Sequence, residues 1–245
     1  MLKQKLFSFF PLQKATLVFI LLLAFSNLFS QRRLIQNLPS YDKSWIHFGF
    51  FVGYNNADFI PVADKDFHAV DTVYNIRPNG GPGFNLQIVT NLRISDNFDL
   101  RFLPGLSFSG RDLNYNIQFK NQAISEIKKT VESNFVDLPL ELKFKSTRIN
   151  NFRMYVLGGF KYSIDLASKK GDKANKDKEP VRLGSSDYGY EVGFGMDFYL
   201  TYIKVSPEIK MFTGLQNLLI KDRFVYSSTL DQLYSKIFTF SVTFE

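Results

Sequence analysis

The most constraining feature of this sequence is the segment 187–200, in which large apolar side chains alternate with small or acidic ones. One parity comprises Tyr188, Tyr190, Val192, Phe194, Met196, Phe198 and Leu200. The other comprises Asp187, Gly189, Glu191, Gly193, Gly195, Asp197 and Tyr199. Successive side chains of a β-strand point to opposite faces, so the pattern predicts a strand with one apolar and one polar face. A tilted strand needs about ten residues to cross a membrane, and strands of soluble sandwiches are usually shorter, so the segment is interpreted as a transmembrane β-strand.

Seven further segments alternate in the same way and are joined by connections of unequal length. The segments are 45–54, 83–94, 98–108, 136–145, 152–165, 203–211 and 236–245. The short connections are 95–97, 146–151 and the turn near 201, and the long ones are 55–82, 109–133, 166–186 and 213–235. Outer-membrane barrels have short periplasmic turns and long external loops, and their closure leaves no unpaired backbone in lipid. The sequence therefore predicts an all-β fold, a transmembrane up-and-down antiparallel β-barrel of about eight strands with both termini in the periplasm.

The N-terminal residues predict a secretory signal peptide. Lys3, Lys5 and Lys14 precede the apolar run 15–25, and residues 26–31 supply a cleavage region with the cut expected after Ser30. An uncleaved membrane anchor is the alternative. The prediction divides the chain into a signal peptide at 1–30, a periplasmic segment at 31–44 and an outer-membrane β-barrel at 45–245.

Composition excludes several other classes of protein. The chain has 27 phenylalanines but a mean hydropathy of −0.11, as expected when apolar and polar residues are interleaved along strands. The absence of cysteine excludes disulfides and thiolate metal sites. The formal charge of +7 includes the lysines of the signal peptide, and the remaining charges are mixed, so no nucleic-acid surface is predicted. We expect no cofactor, no metal and no small-molecule substrate.

Charged residues occupy the inward parity of the predicted strands. A barrel of about eight strands is so narrow that side chains fill its interior. Opposite charges that meet there away from water are expected to pair, and the set is interpreted as a structural plug of salt bridges that occludes the lumen. An ion or proton path is the alternative. The predicted network comprises Arg101, Asp137, Glu141, Lys143, Lys161, Glu191, Asp197, Lys204, Glu208 and Lys210, with Arg93 and Lys145 on the same parity.

Prolines and glycines within the predicted strands carry two further predictions. Pro104, Pro139 and Pro207 cannot donate to a β-ladder, so each predicts a bulge or an edge. Four glycines are expected to leave room for long side chains of neighbouring strands: Gly158, Gly159, Gly193 and Gly195.

The sequence offers little for catalysis. Its two histidines are His47, at the predicted periplasmic end of the first strand, and His68, in the first long loop. A rim histidine beside a carboxylate can activate a nucleophile, so His68 is the candidate if the barrel modifies lipids; the alternative is an exposed loop residue without such a role. The lysine-rich segment 168–180 is interpreted either as a solvated loop or as a contact for anionic lipopolysaccharide or a protein partner.

Three runs of sequence carry a resemblance to a known family. They are LRFLPGLSFSGRDLNY at 100–115, ESNFVDLPLELKFKSTRINNFRMYVLGGFKYSIDLASKK at 132–170 and YEVGFGMDFYLTYIKVSPEIKMFTGL at 190–215. With these runs the chain resembles the PorT (SprT) family of Bacteroidetes outer-membrane proteins; generic outer-membrane barrel families share the architecture. The resemblance implies membership of the type IX secretion system, which carries proteins with C-terminal sorting domains across the outer membrane and delivers adhesins in gliding species. It implies other subunits of that system as partners and supplies no catalytic residues.

The resulting expectation is a non-enzymatic outer-membrane barrel that serves as an accessory or assembly subunit of the secretion system. It would contact outer-membrane lipid and bind its partners through its extracellular loops, its lipid-facing wall or the segment 31–44. A lipid-modifying barrel enzyme and a structural barrel that tethers the envelope are the alternatives.

Overall fold

The computed structural model describes residues 35–63, 73–117, 125–166, 183–220 and 230–245. Its strands are β1 (Ile46–Ala63), β2 (Val73–Arg93), β3 (Phe98–Phe102), β4 (Gly105–Ile117), β5 (Ser125–Lys145), β6 (Phe152–Asp165), β7 (Ser186–Tyr199), β8 (Lys204–Gly214) and β9 (Leu230–Phe244). A single 3-10 turn at Tyr41–Lys43 precedes them within the described ranges. No helix in this part of the chain is long and apolar enough to cross a membrane. The predicted signal peptide at 1–30 lies outside the described residues.

The strands form a closed antiparallel ring. Strands that follow one another in the chain pair with each other, except that β3 and β4 each pair with β2 and β5. Because β1 pairs both with β2 and with β9, the first and last strands join. Closure satisfies the backbone of every wall strand without leaving an edge in the apolar zone. We call the end that carries the turns between β2 and β3, β5 and β6, and β7 and β8 the short-turn end. The opposite end, where the longer connections lie, is the long-loop end.

The elements β3 and β4 are two parts of one wall strand. Phe102 pairs with Thr90 and Gly105 pairs with Gln87, which is three steps along each strand, so no residue is inserted between them. The ladder is interrupted where Pro104 lacks an amide hydrogen, but the Pro104 carbonyl still accepts from Ile88 N at 3.0 Å. The wall therefore has eight strands, as predicted from the sequence.

The three prolines predicted to mark bulges do not shift the strand register. Pro139 pairs with Lys161 in β6, and Pro207 pairs with Val242 in β9, each within an unbroken series of partners. Register shifts fall instead at Val62/Ala63 in β1 and at Val73/Asn75 and Gly80/Gly83 in β2. The expectation of a bulge at the prolines was wrong, although pairing is interrupted at Pro104 and, between β7 and β8, at Ser206 and Pro207.

The two faces of the wall differ sharply in exposure. Phe50 is 68% exposed, whereas the next residue, Phe51, is 2% exposed. The outward side chains of every wall strand form a belt that is exposed and apolar, with Phe240 and Phe160 among its members. A continuous apolar belt of this kind is what the hydrocarbon core of a bilayer covers. The structure thus confirms the predicted all-β barrel, with the apolar parity of its strands outside and the polar parity inside.

Several strands are longer than predicted and continue past the belt at the long-loop end. The β1–β2 pairing ends at Ala57 and Gly81, while β2, β4 and β5 remain paired with one another to Ile117 and Ser125. Beyond the belt the outward series of β1 is interrupted by Asn56 and Asp58 and resumes at Ile60 and Val62, each 39% exposed. Parts of the predicted long connections 55–82 and 109–133 are therefore strands whose apolar outward face is not continuous.

Candidate functional site in the barrel interior

The interior of the barrel is filled by charged side chains from most of its wall strands. The structure buries all ten residues of the predicted network: Arg101, Asp137, Glu141, Lys143, Lys161, Glu191, Asp197, Lys204, Glu208 and Lys210. Each lies on the inward parity of its strand, because the alternation that exposes apolar residues outside turns its neighbours inside. Lys145 and Arg93 share that parity but differ in burial. Lys145 is buried, and Arg93 lies partly exposed at the rim.

An ion pair between Arg101 and Glu208 spans the lumen. Arg101 is in β3 and Glu208 is in β8, which are four strands apart in a ring of eight and therefore stand on opposite walls. The Arg101 Nη1 atom lies 2.8 Å from Glu208 Oε1, and both side chains are at most 1% exposed. Thr243 and Tyr155 add hydroxyl donors to the same Glu208 oxygen at 3.2 and 2.7 Å. The contact leaves no open path at this level of the barrel.

Lys210 connects this pair to two more carboxylates. Its Nζ atom lies 2.5 Å from Glu141 Oε1 and 3.4 Å from both Glu191 Oε1 and Glu208 Oε2. Arg101 also approaches Glu141, at 3.6 Å. Three carboxylates thus share two cations, which lowers the cost of burying each charge.

Lys161 extends the cluster toward the long-loop end. Its Nζ atom lies 3.8 Å from Asp137 and 3.9 Å from Glu191, and it stands 4.0 Å from the centre of the Phe212 ring. Ser163 donates a hydrogen bond of 2.7 Å to Asp137. Seven of the ten predicted residues therefore form one connected cluster.

The other three predicted residues lie nearer the short-turn end. Lys143 contacts both oxygens of Asp197, at 2.9 and 3.1 Å, and Ser206 donates to Asp197 at 2.7 Å. Lys204 pairs instead with Glu245, at 2.5 Å. Lys204 is thus the one predicted residue whose ion-pair partner lies outside the predicted set.

Glycines on the inner face make room for these long side chains. Gly195 faces the ring of Tyr155, which occupies the position that a side chain at 195 would need. Gly159 pairs with both Glu141 and Glu191 across the two neighbouring strands. Gly158 was expected to share this role, but it has the outward parity and faces the belt.

Arg111 is a buried interior residue that the sequence reasoning did not identify. Its guanidinium carbon lies 4.8 Å from the centre of the Phe59 ring and 5.0 Å from that of Phe135, and its Nη1 donates to Ser235 at 2.9 Å. Phe59, Phe135 and Ser235 come from three different strands, so Arg111 closes a second level of the lumen. Its segment was assigned to a long connection because its outward neighbours, such as Asp112, are polar. Continuing the inward parity of Arg101 along the strand would have found it.

A segment before β1 covers the short-turn end, and we call these residues, Gln36–Ser44, the N-terminal strap. Asn37 Nδ2 donates to Tyr199 O at 3.0 Å, which anchors the start of the strap. Tyr41 stacks on His47 with ring centres 3.9 Å apart, and His47 Nε2 lies 2.8 Å from Tyr41 O. The strap belongs to the predicted segment 31–44, whose sequence has no periodicity that would predict a contact with the barrel.

Two arginines of the barrel bind Asp42 of the strap. Its Oδ2 lies 3.2 Å from Arg148 Nη1 and its Oδ1 lies 3.2 Å from Arg153 Nη1. Tyr199 also donates to Oδ1, at 3.3 Å. Partial burial opposes ionisation of Asp42, but the nearby positive charges of Arg153 and Arg148 outweigh it and hold the pKa of Asp42 below its ordinary value.

The described residues present no arrangement typical of a catalytic or metal centre. No group of three or more His, Asp or Glu side chains in these ranges is arranged to hold a metal ion. His47 is occupied by its contacts with the strap. His68 and the lysine-rich segment 168–180 lie outside the described residues.

Comparison with known proteins found similar solved structures. The chain is similar to Neisserial surface protein A, with 9% identity, coverage of 82% of this chain and 98% of that chain, and a TM-score of 0.40. It is also similar to OprG of Pseudomonas aeruginosa, with 11% identity, 80% and 92% coverage and a TM-score of 0.37. For Ail, the attachment invasion locus protein of Yersinia pestis, the values are 13%, 80%, 96% and 0.34. No curated protein matches the chain in sequence.

A family model described as outer membrane protein beta-barrel domain matches residues 29–219. This range includes the strands from β1 to β8 and therefore most of the wall. The protein belongs to this family of outer-membrane β-barrels.

Proposed function

We propose that this barrel is a non-enzymatic accessory or assembly subunit of the type IX protein secretion system of Bacteroidetes. The resemblance of three sequence runs to the PorT family supports this proposal, and the filled lumen supports a role carried out by surfaces. In this proposal residues 1–30 are a cleaved signal peptide and both termini lie in the periplasm. The short-turn end then faces the periplasm and the long-loop end faces outward, as is typical of such barrels.

The observation that carries the mechanistic part of the proposal is the Arg101–Glu208 contact of 2.8 Å across the lumen. A folded substrate or an extended chain cannot pass a barrel of this width while its opposite walls are joined by buried ion pairs. The barrel would therefore hold partner subunits instead of conducting cargo. In gliding species the cargo of the same machinery includes surface adhesins, so loss of the barrel is expected to affect secretion and motility together.

Planar bilayers test the occluded lumen. Purified wild-type barrel is expected to give no large, stable conductance, because the side chains of two levels fill the interior. The double variant Arg101→Ala with Glu208→Ala removes the trans-lumen pair and is expected to raise the conductance. A large stable conductance from the wild type would contradict the proposed filled core.

A deletion strain tests the role in secretion. Loss of the protein is expected to leave sorting-domain cargo in the periplasm, and the wild-type gene is expected to restore export. Replacing residues 168–180 by a glycine-serine linker of equal length then tests whether this lysine-rich segment binds a partner or lipopolysaccharide. Normal cargo export in the deletion strain would exclude the secretion role while leaving the barrel fold untouched.

A further inference from the structure

The short-turn end contains a polar pocket with an excess of positive charge. The pocket has a volume of about 320 Å³ and no apolar side chain in its lining. Its lining residues are Asp42, Arg93, Asp96, Asn97, Lys145, Ser146, Thr147, Arg148 and Arg153. Four cations thus face two carboxylates, and one of those carboxylates, Asp42, is contributed by the N-terminal strap and not by the barrel itself.

Asp42 shows which chemical group the pocket accepts. Its two carboxylate oxygens are divided between Arg148 and Arg153, each at 3.2 Å, and Arg93 donates to the backbone carbonyl of Asp42. Guanidinium groups set in this way around a carboxylate bind it through charge-assisted hydrogen bonds. The strap therefore occupies the pocket in the way that a carboxylate from another chain could.

The cations remain in position through contacts that do not involve the strap. Arg148 Nε donates to Asn150 O at 2.8 Å, and its guanidinium stacks 3.6 Å from the centre of the Tyr199 ring. Lys145 is fixed by Asp99 at 2.6 Å. Arg153 is buried, and its guanidinium carbon lies 5.7 Å from the centre of the Tyr199 ring. A pocket whose donors are already placed loses little entropy when it binds an anion.

The strap is more exposed to solvent than the pocket that it covers. None of the residues Tyr41–Lys43 is buried, and the Asp42 side chain is 31% exposed. Solvent therefore reaches the Asp42 side of these ion pairs and screens them in part. A ligand that presents several carboxylates can therefore compete with the single carboxylate of Asp42.

We infer that this pocket binds an acidic segment of a partner protein, whose carboxylates displace Asp42 from Arg148 and Arg153. A protein carboxylate is favoured over a lipid because the pocket lining has no apolar residue and the natural occupant is itself a carboxylate. That the partner is periplasmic rests on the orientation proposed above; the recognition of carboxylates does not. Displacement would expose the strap for contact with the same partner, so one event would both occupy the pocket and release Gln36–Ser44.

The test uses the full chain in detergent and a fluorescein-labelled peptide with four glutamates spaced by serines. Fluorescence anisotropy is expected to show saturable binding to the wild type. Asp42→Asn is expected to bind about tenfold more tightly, because the competing carboxylate is lost. The double variant Arg148→Gln with Arg153→Gln is expected to bind at least about tenfold more weakly than the wild type.

Matched controls separate recognition from general charge effects. The variant Arg77→Gln with Lys236→Gln removes two positive charges near the other end of the barrel and is expected to leave the affinity unchanged. The same peptide with glutamine in place of glutamate is expected not to bind. Trp45 is the only tryptophan of the chain and directly follows the strap, so its emission is expected to change when the acidic peptide binds.

Three results would overturn the inference. The first is equal affinity of the wild type and Asp42→Asn for the acidic peptide. The second is equal loss of binding in the Arg77→Gln and Lys236→Gln control. The third is displacement of the peptide by inorganic phosphate at concentrations where acetate has no effect, which would assign the pocket to phosphate. Each result is independent of the secretion assay, so the pocket and the secretion role can fail separately.

Discussion

Tyr155 fills the space beside Gly195 in the neighbouring strand, and its hydroxyl reaches past that glycine to Glu208 at 2.7 Å. A Cβ atom at residue 195 would lie 2.3 Å from the phenol oxygen, so the ring must move if any side chain is introduced. The glycine therefore permits a hydrogen bond between two other strands, and this relationship leads to the first prediction.

Gly195→Ala is expected to destabilise the barrel by about 1–3 kcal/mol, because the displaced Tyr155 ring loses its contact with Glu208. Gly158→Ala is the matched control, since a Cβ there would have only one neighbour, at 3.9 Å, and would face outward. The control is expected to change stability by less than about 0.5 kcal/mol. Unfolding in urea, followed by circular dichroism in detergent micelles, compares the two. Equal losses would show that residue 195 is not crowded.

The trans-lumen ion pair is expected to show strong coupling in a double-mutant cycle. Glu208→Gln alone is expected to cost about 3 kcal/mol, because Arg101 keeps its buried charge while its closest partner is lost. Arg101→Met alone leaves Glu208 in the corresponding position. The double variant is expected to be more stable than the sum of the single effects implies, by about 1–3 kcal/mol. Additive effects would indicate that the two side chains do not interact in solution.

Docking of the N-terminal strap is expected to depend on pH through Asp42. The folded-state pKa of Asp42 is below its ordinary value, so the stabilisation is fully present above about pH 4, where Asp42 is also ionised in the unfolded chain. It is lost as the pH falls through the lower folded-state pKa and Asp42 becomes neutral beside Arg148 and Arg153. Trp45 emission is expected to report strap release on acidification below about pH 4.

Asp42→Asn provides the control for this transition. The variant lacks the titrating carboxylate, so its Trp45 signal is expected to be independent of pH over the same range. An identical acid transition in the variant would show that the signal does not come from Asp42.

The free-energy cost of a charged substitution on the outer belt is expected to depend on its depth in the bilayer. Phe240 lies within the apolar outward series of β9, and Phe240→Lys is expected to cost about 2–4 kcal/mol in a bilayer. Tyr202 lies in the turn between β7 and β8 and is 88% exposed, so Tyr202→Lys is expected to cost less than about 1 kcal/mol. Unfolding by guanidinium chloride in phosphatidylcholine vesicles measures the stability cost of each substitution. Equal costs would mean that the belt does not contact hydrocarbon.

The sequence predicted the wall best where both faces of a strand are distinctive. The strand β6 was predicted with its observed bounds, 152–165, because its apolar and polar parities persist along its whole length. The continuation of β1 beyond Asn56 was missed, because Asn56 and Asp58 interrupt the apolar outward series before it resumes at Ile60 and Val62. The alternation of apolar and polar side chains identifies the part of a strand that faces lipid. It is interrupted where the strand extends past the apolar belt.

The interior could be predicted as a set of residues but not as pairs. Parity alone placed Glu208 and Arg101 inside the barrel, although 107 residues separate them in the chain. Their contact depends on the stagger of all the intervening strands, which a single sequence does not encode in any local pattern. The same limit applies to the strap, because nothing in the residues around Asp42 indicates that Arg148 and Arg153 would receive it.

The ion pairs of the interior have a consequence for how strands align during assembly. A strand displaced by one residue would turn its charged side chains into lipid, and alternation already forbids that error. A displacement by two residues keeps every side chain on its proper face, so the apolar belt alone would not detect it. In β8 such a slip would carry Lys210 about 7 Å away from Glu141 and Glu208 about 7 Å away from Arg101, so both of these buried ion pairs would be broken. The polar filling thus selects the correct alignment among those that lipid contact cannot distinguish.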